Sequence, residues 1–220
     1  MLGKLPLAAV GATLAAILLA ACPLTREGAD GADIPGQTPE VSTELFAPQS
    51  QPGCFLFLTN DPDLWGPYGS TLWALTGSAQ QPFAARELEL AKISGNESAG
   101  FGAVFCHYEH PERGETMLAV MINTKRQFLV GEITGASFQT ILPWTESPAL
   151  LPGYNIANRL RLESDGQSFS LLLNGLQAAS FRDEQEPLHA GGADGLIAVI
   201  SPLDRFPQNP VQVLYRELAP

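Results

Sequence analysis

NRLRLESDGQSFSLLLNGLQAASF, residues 158–181, sets three short apolar runs on either side of two tight-turn signals. Arg159 to Glu163 alternates polar and apolar with a period of two, as a strand half-buried in an antiparallel sheet does. Asp165-Gly166 supplies a hairpin turn, 168–173 a second strand, and Asn174-Gly175 another turn before a third strand at 177–181. Two such turns within ten residues specify a three-strand meander.

The rest of 53–220 has the same texture: short apolar runs separated by Gly, Pro, Asn and Asp. Strands are expected at 54–59, 71–75, 83–94, 101–107, 116–123, 128–134 and 138–142 before the meander, and at 195–201 and 211–218 after it. No eleven-residue window shows capped three-four spacing, and the acid-rich stretch from Arg182 to His189 reads as a loop. Regularly spaced strands with turn signals between them predict an all-β sandwich or barrel.

Composition sets the frame for this domain. The chain has 220 residues, 45% hydrophobic and 16% charged, which suffices for a sizeable core. Twenty-one Gly and 18 Pro imply many turns. A net charge of −11 leaves no phosphate-neutralising surface, so a charge-driven nucleic-acid partner is excluded. Much of the apolar content lies at the N-terminus: Lys4 is followed by an uncharged run from Leu5 to Ala21 that ends in small residues. This is the pattern of a secretory signal peptide over 1–21, and Pro6 and Gly11 argue against a permanent spanning helix. From Pro23 to Pro52 come five prolines, three glycines, five acids and one base, with little apolar periodicity. Such a stretch cannot offset its ordering entropy and reads as a tether over 22–52, with an r.m.s. reach of roughly 30 Å. The domain is therefore expected at 53–220.

Leu19-Ala20-Ala21-Cys22 resembles the lipobox of bacterial lipoproteins. The resemblance implies cleavage before Cys22, lipid on that residue, and a chain anchored to a membrane of the cell envelope rather than spanning it. The domain carries a second resemblance on a series of features in fixed order. These are a long strand ending at Gly95, then Gly100-Phe101-Gly102-Ala103-Val104-Phe105, Trp144, Asn158-Arg159-Leu160-Arg161-Leu162, the Asp165-Gly166 turn, Leu171-Leu172-Leu173-Asn174-Gly175 and a last strand from Val211 to Leu218. Together they resemble the concanavalin A-like lectin/glucanase superfamily in its bacterial laminin-G-like form. That implies a jelly-roll sandwich of two curved antiparallel sheets, but no particular chemistry, because the fold hosts lectins, hydrolases and adhesion modules.

Hydrolysis of a glycoside needs two carboxylates at a defined separation. Glu87 and Glu89 share one strand face, but the rest of the Glu-x-Asp-x-x-Glu pattern of the glucanase branch is missing, so no catalytic residue is assigned. His107, Glu109 and His110 form a cluster whose spacing on an extended chain turns the imidazoles to opposite faces, and a polar hairpin explains it without a metal. No cofactor is expected. Calcium, common in the superfamily, would find oxygens in Asn60-Asp61-Pro62-Asp63, with Asp61 and Asp63 as its ligands, but turn chemistry accounts for the same residues. Cys54 and Cys106 remain once Cys22 is lipidated, and they fit either a disulfide or two buried thiols. Glycan binding needs exposed aromatic rings: Trp65, Tyr68 and Tyr154 lie on loops and are the candidates, whereas Trp73 and Trp144 are expected in the core. The reading is an anchored, non-catalytic, glycan-binding sandwich; an envelope protein partner or a sugar hydrolase are its competitors.

Overall fold

The computed structural model describes residues 45–59, 61, 64, 69–77, 79, 82–135, 137–182, 191–204 and 208–218. Its strands are β1 (Phe46–Pro48), β2 (Cys54–Thr59), β3 (Ser70–Leu75), β4 (Ala85–Ser94), β5 (Phe101–His110), β6 (Gly114–Ile122) and β7 (Gln127–Thr134). They continue with β8 (Ser137–Glu146), β9 (Asn158–Ser164), β10 (Phe169–Leu173), β11 (Leu176–Phe181), β12 (Ala193–Ile200) and β13 (Val211–Glu217). Two antiparallel sheets form, one in the order β1-β2-β13-β4-β9-β10-β11 and the other β3-β12-β5-β6-β7-β8. This is the expected all-β, two-sheet jelly-roll sandwich.

The meander forms as its turns dictate. Leu171 stands opposite Leu162 and Leu173 opposite Leu160, so one row of side chains enters the core. At the β9–β10 turn, Asp165 Oδ1 accepts from the amides of Gln167 (2.8 Å) and Ser168 (2.7 Å), and these bonds hold its carboxyl below the usual range. At the next turn both Asn174 (φ 51°) and Gly175 (φ 80°) are left-handed, the combination a two-residue type I′ hairpin requires. The Asn174 side chain then joins three segments: it accepts from the Arg159 amide (2.7 Å) and donates to Ala149 O (2.7 Å) and Asn158 Oδ1 (2.8 Å).

Between the sheets lies one core with Phe57, Leu88, Leu90 and Tyr215 from the longer sheet and Phe105, Leu118, Val120 and Leu196 from the shorter. Each fully buried side chain of this kind contributes about 1.5–3 kcal/mol. Tyr215 crosses the interior to donate from its hydroxyl to Ile197 O (2.7 Å), tying β13 to β12. Buried charge closes the core at both ends. At one, Lys92 Nζ donates to Asn96 O (2.6 Å) and Ala99 O (3.0 Å), and burial lowers its pKa to about 8. Nearby Asp204 accepts from the amides of Asn96 and Ser201. At the other, Arg86 pairs with Asp194 (3.7 Å) and Glu217, bridging the two sheets.

One expectation is corrected by this architecture. The domain begins before residue 53: Phe46–Pro48, assigned above to the tether, pairs with Phe55–Phe57, and Phe46 is 3% exposed against Phe57 and Tyr215. A single buried ring supplies the apolar surface that holds so short a strand. Of the two alternatives open for Cys54 and Cys106, a disulfide between them does not form. Cys106 is a buried thiol on the core side of the shorter sheet, while Cys54 packs with Leu214 and Ile93 on the outer face of the longer one.

Candidate functional site

The alternation that sends Phe101, Ala103, Phe105, Leu118 and Val120 into the core sends Val104, Met117, Ala119, Met121 and Ile197 to the outer face of the six-stranded sheet. There they form a second apolar cluster with Leu129 and Ile133, against which Trp73, Leu75 and Val199 pack. The edge strand β8 folds back over this face. A Cβ on Gly131 would lie 2.2 Å from the Phe138 ring, so that ring rests directly on the β7 backbone. A Cβ on Gly100 would meet both Met121 and the edge of the Trp144 ring (3.3 Å). Trp144 belongs to β8 and Gly100 adjoins β5, three strands away and ~14 Å across a flat sheet. The sheet is therefore curled toward this side, and the face is concave. Its exposed rings are Phe138 (42%) and Trp144 (37%) on the β8 wall. Across from them, Trp73 forms the wall on β3.

The far end of the face depends on a bulge. β5 and β6 lose register between Phe105 and Tyr108, with Cys106 at φ 57°, a left-handed conformation costly for a residue with a Cβ. Two neighbours hold it, Asp194 in β12 and Gly192 just before that strand. Asp194 Oδ1 accepts from the Cys106 amide (3.3 Å), and Gly192 approaches so closely that an added Cβ would lie 2.4 Å from His107 O. The bulge keeps Cys106 in the core and turns His107 outward, where its ring meets Trp73 (5.4 Å between centroids) and its Nε2 lies 3.7 Å from Glu115. Asp194 is 1% exposed, and burial raises its pKa to about 6 despite the opposing effects of the Cys106 amide and Arg86.

At the near end the loops are stitched together. Thr124 hydrogen-bonds Glu97 O through both its amide and its hydroxyl, Lys125 pairs with Glu97 (2.9 Å), and the Gly153 amide donates to Thr124 O (3.0 Å). Tyr154 stands here, 40% exposed, with its hydroxyl donating to Gly95 O (2.6 Å). Burial of that hydroxyl raises its pKa, with Glu97 adding to the effect. Tyr154 thus presents a ring face, its proton already committed to the loop.

The residues singled out from sequence fare differently. Trp65, Tyr68, Asp63 and Cys22 lie outside the described residues. Asp61 is described, and its amide donates to Thr59 Oγ1 (3.2 Å). No group of three His, Cys, Asp or Glu placed to hold a metal is found among the described residues. His110 Nδ1 accepts from the amides of Glu112 and Arg113, which explains it as a turn residue. Glu87 and Glu89 face outward on the longer sheet, where Glu87 pairs with Arg161 (3.3 Å) and Glu89 with Arg159 (3.4 Å) and Arg216. That arginine ladder occupies both carboxylates. On the concave face Glu115 and Glu146 stand at opposite ends of β6 and β7, about 25 Å apart by strand rise, well beyond the separation glycoside cleavage uses, whereas Glu109 stands directly opposite Glu115 in the β5–β6 ladder, with Cβ atoms about 5 Å apart.

Phe138 was not a candidate on sequence, and Trp144 was expected in the core. The signal available for Trp144 was its neighbour Pro143, which suits an edge strand and not a central one.

No protein-family model and no curated relative matches the sequence. Among solved structures the chain is similar to the carbohydrate binding module CBM66 from Bacillus subtilis, with 13% identity over 68% of this chain and 80% of that one, and a TM-score of 0.50. It is similar also to LamAcat from Zobellia galactanivorans (10% identity, 76% and 77% of the two chains, TM-score 0.49). A third is the GlcNAcα1-4Gal releasing endo-β-galactosidase from Clostridium perfringens (8%, 77% and 53%, 0.49). At such identities the likeness is one of fold, a two-sheet sandwich shared with the carbohydrate binding module.

Proposed function

We propose that the chain is an exported lipoprotein, anchored through Cys22, whose sandwich binds a glycan chain on its concave face without cleaving it. The observation that carries the reading is the pair of exposed rings on β8, Phe138 and Trp144, seated over a curled sheet. Aromatic faces stack on the CH faces of sugars and recur in binding sites because each buries a large area at small entropic cost. Their six-residue separation along β8, roughly 15–20 Å, suits an extended oligosaccharide better than a single sugar. Support from likeness is limited to the fold shared with a carbohydrate binding module.

The test is retention on a panel of immobilised polysaccharides. Trp144→Ala and Phe138→Ala should each weaken the binding found by about tenfold, near 1.4 kcal/mol, with unchanged circular dichroism. Binding unaltered in both variants would remove the β8 wall from the site.

One observation favours a second reading. β8 is an edge strand with no charged residue from Ser137 to Thr145, and uncharged edges accept a further strand from a protein partner. Failure on the whole panel together with co-purification of an envelope protein would select it.

A further inference from the structure

Basic residues are divided unequally between the two sheets. The six strands of the concave sheet, β3, β12, β5, β6, β7 and β8, contain no Lys and no Arg. The seven-stranded sheet holds Arg86, Lys92, Arg159, Arg161 and Arg216 within its strands. Acids show no such bias: Glu109, Glu115, Glu132, Glu146 and Asp194 all belong to the concave sheet. The described bases nearest to this sheet in sequence are Arg113 in the β5–β6 turn and Lys125 and Arg126 in the β6–β7 turn. Of these Lys125 is already paired with Glu97 at 2.9 Å.

This distribution decides the kind of polymer the face accepts. Carboxylate, sulfate and phosphate groups are recognised by Arg and Lys, above all by bidentate guanidinium contacts. An anionic chain laid along this face would meet Glu115 and Glu146 at its two ends and no basic residue in the strands between. Like charges there would oppose association at a distance as well as in contact. An uncharged sugar meets no such barrier, and β8 provides what it needs: stacking surfaces in Phe138 and Trp144, and a hydrogen-bonding hydroxyl in Thr140, which stands opposite Gly131.

We infer that the glycan bound by the concave face is an uncharged polysaccharide, and that polymers carrying uronate, sulfate or phosphate groups are refused. The inference rests on the glycan-binding reading above and adds the ligand's chemical class to it. The experiment uses the full chain in detergent and two sets of immobilised polymers: β-glucan, xylan and chitin on one side, polygalacturonate, alginate and heparin on the other. Each is run at about 0.02 and about 0.5 M sodium chloride, where screening lengths differ several-fold. Retention on at least one uncharged polymer, changing less than about twofold with salt, and none on the charged set is the expected result. Retention on a charged polymer that falls about tenfold or more with salt would overturn the inference while leaving glycan binding intact. Retention on neither set would overturn both.

Discussion

Asp194 does two jobs from one buried position, accepting from the Cys106 amide that holds the bulge and facing Arg86 across the sheets. Its cost is visible in its titration. Burial raises its pKa from the ordinary 3.8 to about 6, so between those values the folded chain holds a proton that the unfolded chain has released. Stability from this group is therefore full below pH 4 and declines as pH rises through 6. The loss is on the order of 2–3 kcal/mol at most for a shift of this size. Urea denaturation should accordingly show Asp194→Asn losing less stability than the parent chain between pH 4.5 and about pH 7.5. An identical decline in both proteins would assign the effect to another group. Asp194→Ala removes the acceptor as well as the charge; it should release the bulge, seen as loss of the ring contact between His107 and Trp73 in side-chain NMR, while Asn restores it.

Within the strands, glycines mark where the concave sheet is tightest, and two of them separate stability from binding. A Cβ at Gly102 would lie 2.0 Å from Val120 O, a backbone atom of β6 that cannot move aside alone. At Gly131 the obstacle is the Phe138 ring, a side chain on the sheet's edge. Gly102→Ala should therefore cost about 3 kcal/mol or more in thermal or chemical denaturation. Gly131→Ala should cost about 1 kcal/mol, yet weaken glycan retention as much as Phe138→Ala because it lifts the ring from its seat. Equal stability losses in the two variants would contradict the seating of Phe138. The strands themselves were legible: β9 to β11 follow from alternation and an Asn-Gly turn, and β9 occupies the expected residues 158–164. β1 escaped notice because three residues leave no periodicity to read, and its stability comes from Phe46 contacts distant in sequence. The outward turn of His107 was equally hidden, since the bulge that causes it depends on Gly192 and Asp194 of a strand nearly ninety residues away. The wall formed by Phe138 and Trp144 depends on register shifts between β7 and β8, which no local pattern encodes.

For the molecule as a whole, the sequence divides a net charge of −11 into parts with different roles. Residues 53–220 carry 18 acids and 10 bases, and the structure concentrates the strand arginines on the seven-stranded sheet. Lipid on Cys22 remains a proposal from the lipobox resemblance, and it has a direct check. Cys22→Ser should move the protein from the membrane pellet to the soluble fraction after cell lysis, since one or more buried acyl chains at about 0.8 kcal/mol per CH₂ supply the attachment. A variant still pelleting with membranes would refute lipidation at that residue.

The pairing of β1 with β2 has a mechanical consequence. A pull on the chain from its N-terminal side reaches Phe46–Pro48 before any other strand, and three pairings with β2 resist it, against six between β2 and β13. β1 is thus the first element to yield under tension. Its release frees the nine residues from Leu45 to Gly53 and lengthens the chain ahead of β2 by about 30 Å while the sandwich behind it stays closed. In the anchored, glycan-binding protein proposed above, the short strand would serve as a slack reserve, yielding to a tug from a bound polymer before the face that grips it unfolds.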